Sequence, residues 1–127
     1  LQAFEAGQTD ILIGTQMLSK GLDFDKVSFV GIFDADHIIH FPDFRAHERA
    51  FQLLTQVAGR AGRRDTPGRV LVQTGNPELF VIEKILQNDY EGLYEKELPE
   101  RQKFDYPPFT RLIRLTVKHT DELTAEE

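Results

Sequence analysis

Short apolar runs alternate with stretches of helical periodicity along this chain, and that alternation narrows the possible architectures more than any other feature. Residues 10–14 (Asp-Ile-Leu-Ile-Gly), 27–33 and 69–74 are short, apolar and rich in branched side chains, the pattern of buried strands. Residues 44–60 hold no Gly or Pro before Gly59 and place Phe44, Phe51, Leu54, Val57 and Ala58 at helical spacing, with Asp43 after Pro42 as the expected N-cap. Asn76-Pro77-Glu78 opens a second predicted helix with a capping side chain, a first-turn proline and an acid at the positive dipole end. Leu79, Ile82, Ile85 and Leu86 form its expected apolar stripe. Residues 90–103 read as a more polar helix with Pro99 in its second half, and residues 1–7 as a helix end stopped at Gly7. Residues 16–20 allow one helical turn before Gly21. Strands alternating with helices predict an α/β fold, three layers deep, whose mainly parallel sheet is covered on both faces. After Tyr106-Pro107-Pro108-Phe109, a linker, residues 112–118 alternate as a lone strand that is expected to open a further domain. The expected divisions are 1–76, 77–105 and 106–127.

Length and charge set bounds on function. A chain of 127 residues, 40% hydrophobic and 28% charged, buries a core and carries a polar surface. No apolar run is long enough to span a bilayer, and there is no basic-then-apolar leader, so the expected compartment is the cytoplasm, with no membrane partner. With no cysteine, disulfides and thiolate metal sites are excluded from this segment. The opening Leu1-Gln2-Ala3 lacks a methionine, as expected of a segment of a longer protein. The net charge of −6 argues against a stand-alone nucleic-acid binder. The charge is uneven, however: residues 43–69 hold six arginines against three acids, and residues 78–105 eight acids against four bases. The basic middle is where chemistry is expected.

Within that middle lies Gln56-Val57-Ala58-Gly59-Arg60-Ala61-Gly62-Arg63. At average residue usage its five fixed positions recur by chance on the order of once per million windows. On a helix, positions 56, 60 and 63 share one face. Two glycines there cost roughly 1 kcal/mol each if helical, so stability does not ask for them. Close approach by another surface does, since glycine leaves room and arginine supplies a rigid fork of donors for phosphate. The plainer reading is a helix end with Gly62 as C-cap and solvated arginines. Upstream, the predicted strand ending at Gly14 delivers Thr15 and Gln16 to the start of a helical turn, where a hydroxyl and free N–H groups suit a nucleic-acid phosphate and Lys20 adds affinity.

The Gln56–Arg63 octet resembles motif VI of superfamily 2 helicases, and residues 14–24 resemble motif V. The resemblance implies a RecA-like lobe in which Arg60 and Arg63 act as arginine fingers on the γ-phosphate of ATP bound by a first lobe. Gln56 would sense that phosphate or the first lobe. Gly21, Asp23 and Gly59 would face the nucleotide cleft, and Thr15, Gln16 and Lys20 the DNA backbone. Read together with Asp34-Ala35-Asp36, Pro42-Asp43-Phe44-Arg45 and Glu48-Arg49, the chain resembles the primosomal protein N′ family of bacterial replication-restart helicases over residues 8–119. That likeness implies an ATP-dependent DNA helicase moving 3′ to 5′. Its partners would be single-stranded and forked DNA, the first helicase lobe and primosome proteins. ATP and Mg2+ would be bound mainly by the first lobe. The family's zinc-binding cysteines precede motif V, so no zinc is expected here. Lacking a Gly-x-x-x-x-Gly-Lys-Ser/Thr phosphate loop, the segment is expected to be inactive alone. A non-catalytic interaction module and another superfamily 2 translocase, such as a branch-migration helicase, are the alternatives.

Other features have plainer readings. Asp34-Ala35-Asp36 imitates a magnesium-binding acidic pair, but acids ending a strand are commonly structural. His37, His40 and His47 lack a compelling ligand set. Asp43, Arg45, Glu48 and Arg49 suit an ion-paired helix face or a contact with DNA or the first lobe. Phe41, Phe44 and Phe51 are expected in the core, and the acidic helices on the solvated surface.

Overall fold

A computed structural model describes residues 2–15, 27–59, 61 and 68–113. They form α1 (Gln2–Glu5), β1 (Phe29–Ile32), α2 (Ala35–Ile39), α3 (Ala46–Ala58), β2 (Arg69–Val72), α4 (Phe80–Gln87) and α5 (Tyr90–Lys103). The chain divides into two compact units, Leu1–Glu95 and Lys96–Glu127.

In the first unit β1 and β2 pair in parallel, Phe29 opposite Arg69 and Ile32 opposite Val72. Because side chains alternate across a strand, Ile32 and Val72 share one face and pack against the helices. The core beneath them is built from Ala35 and Ile39 of α2, Ala50, Phe51 and Leu54 of α3, Val81, Ile82 and Ile85 of α4, and Leu93 of α5. Ile39, Leu54, Val81 and Leu93 are the largest fully buried side chains, each contributing roughly 1.5–3 kcal/mol by leaving water. The opposite sheet face, with Phe29, Phe33 and Leu71, is exposed. An α/β fold with a parallel sheet is therefore what the alternation predicted. Among the described residues, though, helices cover one face of the sheet rather than both.

Several elements depart from the sequence reading. Residues 11–15 form no strand, and Ile11 and Ile13 are 73% and 88% exposed. An apolar run becomes a strand only where a neighbour supplies its ladder, and no described strand pairs with this one. The strands that do form are half open to solvent rather than buried. Asp43 does not cap α3 itself: its carboxylate accepts the Arg45 N–H at 2.9 Å, making a turn one step earlier, and α3 begins at Ala46. In the same way Asn76 accepts the Glu78 N–H at 3.3 Å, and α4 begins only at Phe80. The buried stripe of α4 centres on Val81, Ile82 and Ile85, leaving Leu86 75% exposed. Of the three phenylalanines expected in the core, Phe51 is there, Phe44 is half-buried and Phe41 is 51% exposed. Leu112 and Ile113 are exposed and outside any strand; the rest of the predicted strand 112–118, and the predicted turn 16–20, lie outside the described residues.

Three of the helices, α1, α4 and α5, end by one scheme. Gly7 at φ +70° ends α1, with its N–H bonded to Phe4 O and that of Gln8 to Ala3 O. Asn88 (φ 53°) ends α4 and Asp105 (φ 52°) ends α5 by the same pair of bonds. Asp89 then starts α5: its carboxylate accepts the Gly92 N–H at 2.8 Å and pairs with Lys84 at 2.7 Å. Lys84 first, then the Gly92 N–H, holds the Asp89 carboxyl below its ordinary value, and Asp89 raises Lys84 in return. In the second unit, the N–H of Tyr106 bonds to Arg101 O at 2.7 Å and the hydroxyl of Thr110 donates to Asp105 O. Phe104, Tyr106 and Phe109 remain exposed there.

Candidate functional site

The two strands run the same way, so both deliver their C-terminal ends to one edge of the sheet, the edge where ligands of such sheets bind. That edge is stitched together. The Gln73 N–H donates to Ile32 O at 2.8 Å, and the Ala35 N–H to Gln73 O at 3.0 Å. Asp34, in the left-handed region at φ 53°, makes the sharp turn that sends Ala35 into the core. Asp36 completes the seam, accepting the Thr74 hydroxyl and the Gly75 N–H, each at 2.6 Å. The Thr74 hydroxyl first, then the Gly75 N–H, lowers the Asp36 carboxyl from its ordinary value. The structural reading of Asp34-Ala35-Asp36 thus has a specific content: the second acid is committed to protein donors. Sequence reasoning missed this seam, because its partners stand 38 and 39 residues apart.

Helix α3 rises from the same region, and its burial is sharply divided. Ala46, Ala50, Phe51 and Leu54 are buried. From the N-cap Arg45 to the C-cap Gly59, the exposed residues are Arg45, Arg49, Gln52, Gln56 and Gly59. Their spacing of four, three, four and three residues makes a single straight stripe. At its start Asp43 gathers both arginines: Arg45 Nε at 3.3 Å and Arg49 Nη1 at 3.0 Å. The Arg45 backbone N–H, then its side chain, and then Arg49 hold the Asp43 carboxyl below its usual range. The Arg45 guanidinium also lies 5.2 Å from the Phe44 ring centre. On the flank of the stripe, half-buried Glu48 accepts the Gln52 amide at 3.5 Å.

Gly59 closes the stripe in an ordinary right-handed conformation (φ −63°, ψ −6°), its N–H bonded to Thr55 O at 2.9 Å. A Cβ there would meet Thr55 O at 3.4 Å, an ordinary contact. Among the described residues, nothing in the fold therefore requires glycine at position 59.

Of the residues singled out by sequence, Gln56 and Gly59 share this stripe. Thr15 belongs to another segment, exposed and without regular structure. Arg60, Arg63, Gln16, Lys20, Gly21 and Asp23 lie outside the described residues. Two of the three histidines singled out by sequence are otherwise engaged: His40 Nδ1 lies 3.1 Å from Asp36 O, and His47 packs edge-on against Phe80 at 5.2 Å. Among the described residues no three His, Asp or Glu side chains are grouped to hold a metal, and no helix is long and apolar enough to cross a membrane.

Residues 1–65 match the helicase conserved C-terminal domain, and the chain belongs to that family. Within it, the likeness is to replication restart protein PriA. The chain is 49% identical to that protein of Bacillus subtilis over 95% of its own length. It is 45% identical to that of Synechocystis and 40% identical to that of Borreliella burgdorferi, both over its full length. The chain spans only 15%, 15% and 19% of these three relatives. The resemblance to replication-restart helicases carried by the Gly-Arg octet and its neighbours is borne out.

Proposed function

We propose that this chain is part of the second, RecA-like motor lobe of an ATP-dependent 3′–5′ DNA helicase acting in replication restart and primosome assembly. The observation that carries the reading is the outer stripe of α3. It leads through Gln56 to a glycine that neither the helix nor its packing demands. A position kept free of a side chain without an internal reason suits close approach by something outside the chain. Arg60 and Arg63 follow directly, and guanidinium forks at a helix end match the charge that develops on a transferring phosphoryl group. Their task is electrostatic: to steady the γ-phosphate of ATP held by the first lobe, with Gln56 beside them and Gly21 and Asp23 lining the same cleft. Thr15, exposed after residues 11–14, and Gln16 and Lys20 beyond it would hold DNA backbone phosphates. Mg2+ would accompany ATP on the first lobe. Asp36, the acid that most imitates a magnesium ligand here, already holds Thr74 and Gly75. The three-layer sandwich belongs to the same reading, with the exposed face of Phe29, Phe33 and Leu71 covered by further elements of the lobe. Single-stranded and forked DNA, the first lobe and primosome proteins are the partners that follow.

The test is made in the full-length helicase. Arg60→Ala or Arg63→Ala should lower DNA-stimulated ATP turnover by about 10³-fold or more while ATP binding stays nearly unchanged. This chain alone should hydrolyse no ATP. Unaltered turnover in both arginine variants would falsify the finger assignment, and hydrolysis by the isolated chain would end the division of labour between lobes.

A further inference from the structure

The arginine-glycine octet accounts for one end of the α3 stripe and leaves the other unexplained. Arg45, Arg49 and Gln52 lie within about 40° of the azimuth of Gln56 at 100° per residue, on a run about 16 Å long. All are exposed, whereas the opposite side of the helix is sealed in the core. The stripe itself holds no acid and no apolar side chain, in a chain with 21 acids and a net charge of −6. Helix stability does not account for it either. Arg45 at the N-cap opposes the helix dipole, which favours the acid Glu48 in the first turn. Asp43 offsets this only in part, since one carboxylate faces two guanidiniums. Glu48, on the flank, is turned to the Gln52 amide.

We propose that Arg45, Arg49 and Gln52 form a second contact across the inter-lobe cleft, docking on an acidic, acceptor-rich surface of the first motor lobe. The inference rests on the motor-lobe reading, and helix geometry does the rest. A straight helix cannot turn Gln56 toward the first lobe without turning Gln52, Arg49 and Arg45 the same way. Two guanidinium forks followed by two glutamines suit a mixed carboxylate and carbonyl surface, and Asp43 already shows the arginine heads gathered on a carboxylate. Closure of the lobes would then be guided over the length of the helix, and only its far end would touch the nucleotide.

The experiment uses the full-length helicase, ATP and a single-stranded oligonucleotide. The double charge reversal Arg45→Glu/Arg49→Glu should lower DNA-stimulated kcat about tenfold, with the oligonucleotide Kd and the melting temperature nearly unchanged. Gln52→Glu, an exposed change outside the ion pairs, should lower kcat about threefold in the same way, and decides the matter if the double variant does not fold. A raised oligonucleotide Kd, with kcat restored at saturating DNA, would overturn the proposal in favour of phosphodiester contacts. Unchanged kcat in both variants would overturn it in favour of a solvated face. Arg60→Ala and Arg63→Ala, assayed in parallel, separate the two ideas. If Arg60→Ala loses turnover and the stripe variants do not, this contact alone falls; if Arg60→Ala and Arg63→Ala both keep turnover, the finger assignment on which it rests falls.

Discussion

The two sides of α3 are made under different rules. On the inner side Ala46, Ala50, Phe51 and Leu54 are chosen by volume: small residues let the helix approach the sheet, and larger ones fill the space beside Ile39 and Val81. On the outer side the residues are exposed, yet the sequence is no less particular, with arginine, arginine, glutamine, glutamine and glycine on one line. Contacts within the chain explain the first set completely. They explain the second only as far as the ion pairs with Asp43, the Gln52 amide on Glu48 and the Arg45 head over Phe44. A residue choice that internal energetics leave unexplained is where an outside partner has to be sought.

Changes on the inner side should have the largest effect on stability. Leu54→Ala empties a site 1% exposed and should lower unfolding stability by about 2–5 kcal/mol, read as a shifted denaturant midpoint with unchanged slope. If the loss is below 1 kcal/mol, α3 is not seated in the core as described. On the outer side, Asp43→Ala should lower stability by less than about 1 kcal/mol. The sign with pH is fixed by the depressed carboxyl of Asp43. Its contribution is complete above the unfolded value of about 3.9 and disappears as pH falls through the lower folded value. High salt should also shrink it, whereas the Leu54 loss should survive both conditions. A deficit in Asp43→Ala that ignores salt and acid would mean that the ion pairs are not its source.

Smallest of all is Gly59→Ala. In the isolated chain it should leave stability unchanged or raise it by up to about 1 kcal/mol. In the full-length helicase the same methyl should lower ATP turnover, by crowding the approach that the glycine keeps open. Wild-type turnover with an added methyl would show that position 59 has no close neighbour, and the contrast between the two sides of α3 would lose its functional half.

What could be read from sequence followed the reach of each signal. Local periodicity gave β1, β2, α3 and α5 nearly to their ends, because each is decided within its own window. The caps were displaced, because Asp43 and Asn76 satisfy a turn just ahead of the helix and leave the helix start to Ala46 and Phe80. Residues 10–14 failed for a different reason: Ile11 and Ile13 announce an apolar run but not the strand that must lie beside it. The seam of Asp36 with Thr74 and Gly75 had no local signature at all. For the site, a rare arrangement of glycines and arginines led to the family. The stripe running back to Arg45 became visible only when burial was mapped onto the helix.

That seam also bears on mechanics. Asp36 fastens the departure from β1 to the exit from β2, so the C-terminal ends of the two parallel strands are held together at one edge of the sheet. A load that reaches either strand end there is shared by both strands rather than prising them apart.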